Sequence, residues 1–94
     1  MKTIRVIVSC RNPLFCEGMT TLLQYEEDIE IVGKVEDGPQ AVKSANIHPD
    51  VFILDPVLFG GEELQQVIHE LKIRSPRSKI LLLFLETEVS DKAL

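Results

Sequence analysis

Short apolar runs alternate with segments of helical periodicity along the chain. Consecutive or alternating apolar residues predict four strands, at Ile29–Val35, at Val51–Leu54 and at residues 4–8 and 80–85. The alternation of apolar and polar positions in Ile29–Val35 favours a strand at the edge of a sheet. The run at 80–85 holds six apolar residues in succession, which favours a strand buried on both faces.

Three helices are predicted between these strands. The first spans residues 12–25, because Asn12 suits the N-cap and the proline that follows it suits the first turn. A short second helix lies between Gly38 and His48, and a third ends at Arg74 with acidic residues in its first turn and basic ones in its last. The apolar residues of the first helix recur at helical spacing and are Leu14, Phe15, Gly18, Met19, Leu22 and Leu23.

The regular alternation of strands and helices predicts an α/β fold. Parallel neighbours need a crossover connection, so the order indicates a doubly wound parallel sheet with helices on both faces. Residues 1–94 form one domain, and residues 86–94 begin a further helix. In such sheets ligands bind at the carboxyl ends of the strands. Three segments meet there, and they are the loop Ser9-Cys10-Arg11-Asn12, Asp55 with its loop, and the end of the last strand.

Composition and charge narrow the range of functions that the chain can have. The chain has 94 residues, 45% of them hydrophobic, with 10 Lys and Arg against 15 Asp and Glu, for a net charge of −5. These proportions indicate a globular domain, and the acidic balance argues against direct nucleic-acid binding, which depends on basic side chains. Any contact with DNA must come from another domain. The N-terminus has no signal-peptide pattern and no apolar run is long enough to cross a membrane, so we expect a cytoplasmic protein.

The two cysteines and two histidines give weaker signals. Cys10 and Cys16 form no C-x-x-C pair and have no neighbouring histidine cluster, so a zinc site is not indicated. Reduced thiols are the expected state, and a redox pair between the two cysteines is the alternative. His48 and His69 each stand without a catalytic partner and are expected at the surface.

Several short motifs carry a resemblance to a known family. They are Ile4-Arg5-Val6-Ile7-Val8, Pro13-Leu14-Phe15 with Glu17-Gly18-Met19, Asp28-Ile29-Glu30-Ile31-Val32-Gly33, Asp37-Gly38, Pro49-Asp50-Val51 and Leu54-Asp55. In this order they resemble the receiver domain of bacterial response regulators, most closely the branch with a LuxR-type helix-turn-helix output domain. The resemblance covers almost the whole chain and implies a flavodoxin-like (CheY-like) sheet. It also implies a domain incomplete at the C-terminus, with about four strands and three to four helices.

The resemblance assigns roles to particular residues. The family's phosphoacceptor, which takes a phosphoryl group from a sensor histidine kinase, aligns with Asp55. The acidic pair that holds Mg²⁺ in the family aligns with Cys10 and Arg11, and the switch Ser/Thr aligns with Phe84. A thiol is a poor ligand for this hard cation and a guanidinium repels it, so we expect no bound metal and impaired phosphorylation. Arg11 could also form an ion pair with Asp55.

The leading interpretation is a degenerate, phosphorylation-independent receiver domain. It would act as a signalling and dimerisation module of a DNA-binding transcriptional regulator, and not as an enzyme. Its partner would be a second copy or a protein that covers the exposed edge of the last strand.

Two alternatives stay open. One is a working phosphoreceiver in which Mg²⁺ is held weakly by Asp55, the backbone carbonyl of Val57 and a carboxylate such as Glu62 or Glu86. The other is a redox-responsive interaction module that acts through Cys10.

Overall fold

The computed structural model describes residues 3–9, 12–57, 59 and 61–83. Its strands and helices follow the predicted order: β1 (Ile4–Ser9), α1 (Pro13–Gln24), β2 (Ile29–Val35), α2 (Gly38–Ser44), β3 (Val51–Leu54), α3 (Gly61–Arg74) and β4 (Lys79–Leu82). A single turn of 3₁₀-helix, Ala45–Ile47, extends α2. The further helix expected at residues 86–94 lies outside the described residues. In the part of the chain described, no helix is long and apolar enough to span a membrane.

The four strands form one parallel sheet in the order β2-β1-β3-β4. The two central strands, β1 and β3, are the ones whose side chains are mostly buried. β2 lies at one edge, as its alternating pattern predicted. The doubly wound α/β fold is confirmed.

Side chains on the two faces of the sheet belong to separate cores. Ile7, Phe52 and Leu54 point to one face, which α2 and α3 cover with residues such as Ala41 and Leu71. Residues one position along the strands point to the opposite face, where α1 packs, as expected for the period of two in a strand. That second core contains Val6, Val8 and Ile53, with Cys16, Met19 and Leu23 against it.

Asn12 caps the first helix as predicted, and Asp37 caps the second helix. The Asn12 side chain accepts hydrogen bonds from the backbone N–H groups of Leu14 and Phe15, at 2.9 and 3.2 Å. The Asp37 carboxylate accepts one from the N–H of Gln40 at 2.8 Å. These side chains satisfy N–H groups that have no partner within the helix.

The prediction that the last strand is buried on both faces is wrong for its described part. Along β4 the side chains alternate between exposed and half-buried, and Leu81 is 54% exposed. Ile80 and Leu82 pack on the core beneath α2 and α3. Leu81 points to the opposite face, where α1 lies over β2 at the far side of the sheet. A continuous apolar run therefore does not guarantee that an edge strand is covered.

Candidate functional site

Asp55 lies where the sequence placed it, at the carboxyl end of β3. It directly follows Leu54, which pairs with Ser9 of β1. On the other side, the backbone N–H of Leu83 donates to the carbonyl of Leu54 at 2.9 Å. The ends of three parallel strands therefore meet beside this carboxylate, which is only 8% exposed.

The backbone and the side chain of Asp55 are both held by local hydrogen bonds. Its N–H donates to the carbonyl of Ser9 at 3.1 Å and lies 3.3 Å from the Ser9 hydroxyl, which also accepts from it. Its carboxylate oxygen Oδ1 accepts from the N–H of Val57 at 2.9 Å. This last bond forms an Asx turn around the intervening proline. The carboxylate is therefore in a defined position next to the end of β1.

Three further positions of the family pattern carry other residues in this chain, at Cys10, Arg11 and Phe84. Cys10, Arg11 and Phe84 lie outside the described residues, so the predicted ion pair between Arg11 and Asp55 stays a prediction. Their described neighbours, Ser9 and Asn12, both have defined contacts in the structure.

The donor set at this end of the sheet does not fit Mg²⁺. The ion prefers several carboxylate or carbonyl oxygens in a near-octahedral arrangement. Asp55 supplies one carboxylate, whereas the two positions after Ser9 carry a thiol and a guanidinium. Among the described residues, no three His, Cys, Asp or Glu side chains cluster closely enough to hold a metal.

The other predicted Mg²⁺ ligands, Val57, Glu62 and Glu86, add no support for a metal site beside Asp55. The N–H of Val57 is directed at the Asp55 carboxylate. Glu62 is exposed in the first turn of α3. Glu86 lies outside the described residues. The carbonyl of Val57 as a metal ligand remains a prediction.

The expectation of reduced thiols is wrong for Cys16. This residue is disulfide-bonded, and no cysteine in the described ranges is a free thiol. Its half-buried side chain lies in the core beneath α1, against Val6, Val8 and Ile53. The sequence offered a disulfide only as the alternative of a redox pair between Cys10 and Cys16.

Sequence reasoning missed an exposed apolar stripe on α1. Leu14, Leu22 and Tyr25 are 81%, 69% and 80% exposed. Gly18 and Thr21 are exposed between them, and a side chain at Gly18 would meet nothing within 4 Å. At 3.6 residues per turn these five positions fall within an arc of about 100°. We call Leu14, Gly18, Thr21, Leu22 and Tyr25 the α1 stripe.

The described surface also contains two exposed histidines and a groove between two helices. His48 and His69 are exposed, as predicted. A groove of about 490 Å³ runs between α2 and α3, floored by Val42 and Val67 and bordered by charged residues of both signs. It shares no residue with the surroundings of Asp55 described above.

Comparisons with known proteins agree on one family. No protein-family model matches the chain. The oxygen regulatory protein NreC of Staphylococcus epidermidis is 30% identical over 81 residues, which are 85% of this chain and 37% of NreC. The transcriptional regulatory protein LiaR of Bacillus subtilis is 28% identical over 89 residues, or 90% of this chain and 41% of LiaR. The chain thus spans about two fifths of the length of these relatives.

A solved structure supports the same relationship. The signal receiver domain of the response regulator NarL from Mycobacterium tuberculosis superposes with a TM-score of 0.70 at 26% identity. The match covers 99% of this chain and 77% of that one. The sequence and structure comparisons therefore agree with the resemblance carried by the short motifs.

Proposed function

Because the chain is a receiver domain of the transcriptional response-regulator type, we propose that it is a phosphorylation-independent dimerisation module. In this proposal its output is a change in the pairing of two copies, and it catalyses no reaction of its own. The observation that carries the proposal is the contrast between the well-placed Asp55 and the thiol and guanidinium that the sequence carries in the two positions after Ser9. The phosphoacceptor position is kept, but the groups that would bind a cation are not.

In the receiver family, the acidic pair holds the cation that makes phosphoryl transfer to the aspartate favourable. A phosphoryl donor and a carboxylate are both negative, so their approach needs positive charge held in place between them. Arg11 does carry positive charge, but a guanidinium at that position competes with a divalent cation instead of binding it. In the proposed function the arginine replaces the metal and leaves Asp55 as a structural residue at the end of β3.

DNA binding would belong to another part of the parent protein. The curated relatives are more than twice as long as this chain, and LiaR is by name a transcriptional regulatory protein. The net charge of −5 gives this chain no electrostatic affinity for phosphates. We place the parent in the cytoplasm, with a DNA-binding output domain outside these residues and a histidine kinase as an ancestral partner.

We propose the α1 stripe as the surface on which two copies pair. Gly18 lies at its centre, with Leu14 four residues before and Leu22 four residues after it. If two such helices cross in antiparallel orientation at Gly18, Leu14 of each copy meets Leu22 of the other. The missing side chain at Gly18 lets the two backbones approach closely. This self-complementarity is what a two-fold symmetric interface requires.

Association of the purified chain in light scattering tests the proposal. We expect a dimer with no phosphodonor present, and an equally stable dimer for Asp55→Ala. Leu22→Glu should raise the dissociation constant about 100-fold or more, because the interface would bury an unpaired charge from each copy.

Leu81→Glu is the matched control, since Leu81 is a similarly exposed leucine on β4. It should leave the dimer intact. A dimer broken by Leu81→Glu and not by Leu22→Glu would place the contact at the edge strand. A strict monomer, or a dimer lost in Asp55→Ala, would contradict phosphorylation-independent pairing.

A further inference from the structure

We propose that the groove between α2 and α3 is a docking site for an amphipathic helix of a partner protein. Its apolar residues are Pro39 and Val42 of α2 and Val67 of α3, and we call it the α2–α3 groove. It lies on the face of the sheet opposite to α1. None of its lining residues belongs to the α1 stripe, so the proposal holds whether or not two copies pair there.

The shape of the α2–α3 groove suits a helix. Its volume of about 490 Å³ has room for a few apolar side chains and falls within the roughly 300–1,000 Å³ of typical ligand sites. Both walls are helices, whose backbone groups are bonded within each helix. An occupant must therefore satisfy its own backbone N–H and C=O groups, which a helix does and an extended peptide does not.

Gly38 brings the two walls together at one end of the groove. A side chain at Gly38 would begin 3.3 Å from the carboxyl carbon of Glu63 and 3.3 Å from a methyl group of Val67. Glu63 therefore lies beside the first turn of α2, and it is exposed to solvent. Its carboxylate gives this end of the groove a negative charge.

Positive charge lies farther along the groove. Lys43 is exposed in the last turn of α2, five residues after Gly38 and thus about 7.5 Å along the helix. Glu70 and Arg74 of α3 pair with each other at 3.1 Å. Neither Glu63 nor Lys43 forms an ion pair with any residue that the structure describes. The groove therefore offers one carboxylate and one ammonium group to an occupant.

These two charges specify the occupant and its direction. A cation on the partner helix would face Glu63 and an anion would face Lys43, with apolar side chains between them on Val42 and Val67. Because α2 and α3 both return from the carboxyl edge of a parallel sheet to its amino edge, they run in the same direction. A partner helix antiparallel to them has its acidic residue in its own first turn and its basic residue in its last, where the helix dipole favours each charge. We therefore expect an acidic residue at i, apolar residues at i+3 and i+4, and a basic residue at i+7.

The probe that tests the proposal is a fluorescein-labelled helical peptide of about 16 residues. It is built on alanine and glutamine, with glutamate at i, leucine at i+3 and i+4, and lysine at i+7. The full 94-residue chain is titrated into it and fluorescence anisotropy is recorded. We expect saturable binding, which is lost when glutamine replaces both leucines, because the apolar contacts with the floor of the groove are then missing.

A charge-reversal cycle tests whether the peptide contacts Lys43. Lys43→Glu should raise the dissociation constant about 10-fold, since an attraction at the rim becomes a repulsion. A peptide with lysine at i should lose a similar factor against the natural sequence, and should bind Lys43→Glu as tightly as the original pair binds. The matched control is Lys72→Glu, which reverses an exposed lysine in the last turn of α3 outside the groove and should leave both dissociation constants unchanged. The peptide variants decide the question even if Lys43→Glu does not fold.

Four results would overturn the proposal. They are the absence of saturable binding, binding that survives the loss of both leucines, equal losses in Lys43→Glu and Lys72→Glu, and release of monomers from the dimer when the peptide is added. The last result, measured by light scattering, would identify a second copy of the chain as the occupant. Leu22→Glu, which is expected to break the pairing at the α1 stripe, should leave peptide binding unchanged, so the docking site and the dimer are tested separately.

Discussion

Replacing Phe52 with alanine is expected to destabilise the domain by about 3–5 kcal/mol. Phe52 is fully buried on a central strand and is the largest of the fully buried side chains in the described part of the chain. Its ring fills the core between the sheet and the pair α2 and α3, so truncation removes apolar contacts and leaves a cavity that rigid neighbours cannot close. A domain of this size has about 5–15 kcal/mol in total, so the loss is a large fraction of its stability.

Urea unfolding followed by circular dichroism measures this effect. The matched control is Ile73→Ala, which removes an apolar side chain that is 60% exposed on α3 and should change the stability by less than about 0.5 kcal/mol. Equal unfolding midpoints for the two variants would mean that the core beneath α2 and α3 does not hold the fold together.

Restoring an acidic pair is expected to restore phosphorylation. The double variant Cys10→Asp with Arg11→Asp places two carboxylates in sequence directly after Ser9, the residue whose carbonyl and hydroxyl accept from the N–H of Asp55. Carboxylates are the ligands that Mg²⁺ prefers, and the competing guanidinium is removed. With acetyl phosphate and Mg²⁺, intact-mass spectra should show a phosphoryl adduct on this variant.

The matched control is Cys10→Ser with Arg11→Ser. It removes the same thiol and the same guanidinium but adds no carboxylate, so it separates the gain of a metal site from the loss of the thiol or of the positive charge. No adduct is expected on it. An adduct on both double variants would show that the acidic pair is not what phosphorylation lacks, and an adduct that survives Asp55→Ala would place the chemistry elsewhere.

The elements of the fold were predictable because local patterns decide them. The cap at Asn12 and the period of each segment depend on neighbours in sequence, and the structure confirms this cap. The parallel sheet followed from the alternation of strands and helices. The position of Asp55 followed from the end of β3, since a residue directly after a buried strand must lie at the carboxyl edge of the sheet.

The features that the sequence did not predict depend on contacts between residues that are far apart in the sequence. Six apolar residues in succession look buried, but Leu81 is exposed because no described helix covers its side of β4. The apolar positions of α1 outnumber those that one inner face needs, and periodicity alone does not tell which, such as Leu22, face outward. Similarly, the spacing of the cysteines allowed either thiols or a disulfide, and only the fold shows that Cys16 is bonded.

The most direct test of phosphorylation independence is the intact-mass spectrum of the natural sequence before and after incubation with acetyl phosphate and Mg²⁺, with Asp55→Ala alongside. We expect the same mass before and after treatment for both proteins. A phosphoryl adduct on the natural sequence that is absent from Asp55→Ala would contradict it, because Asp55 would then be a working phosphoacceptor without the acidic pair.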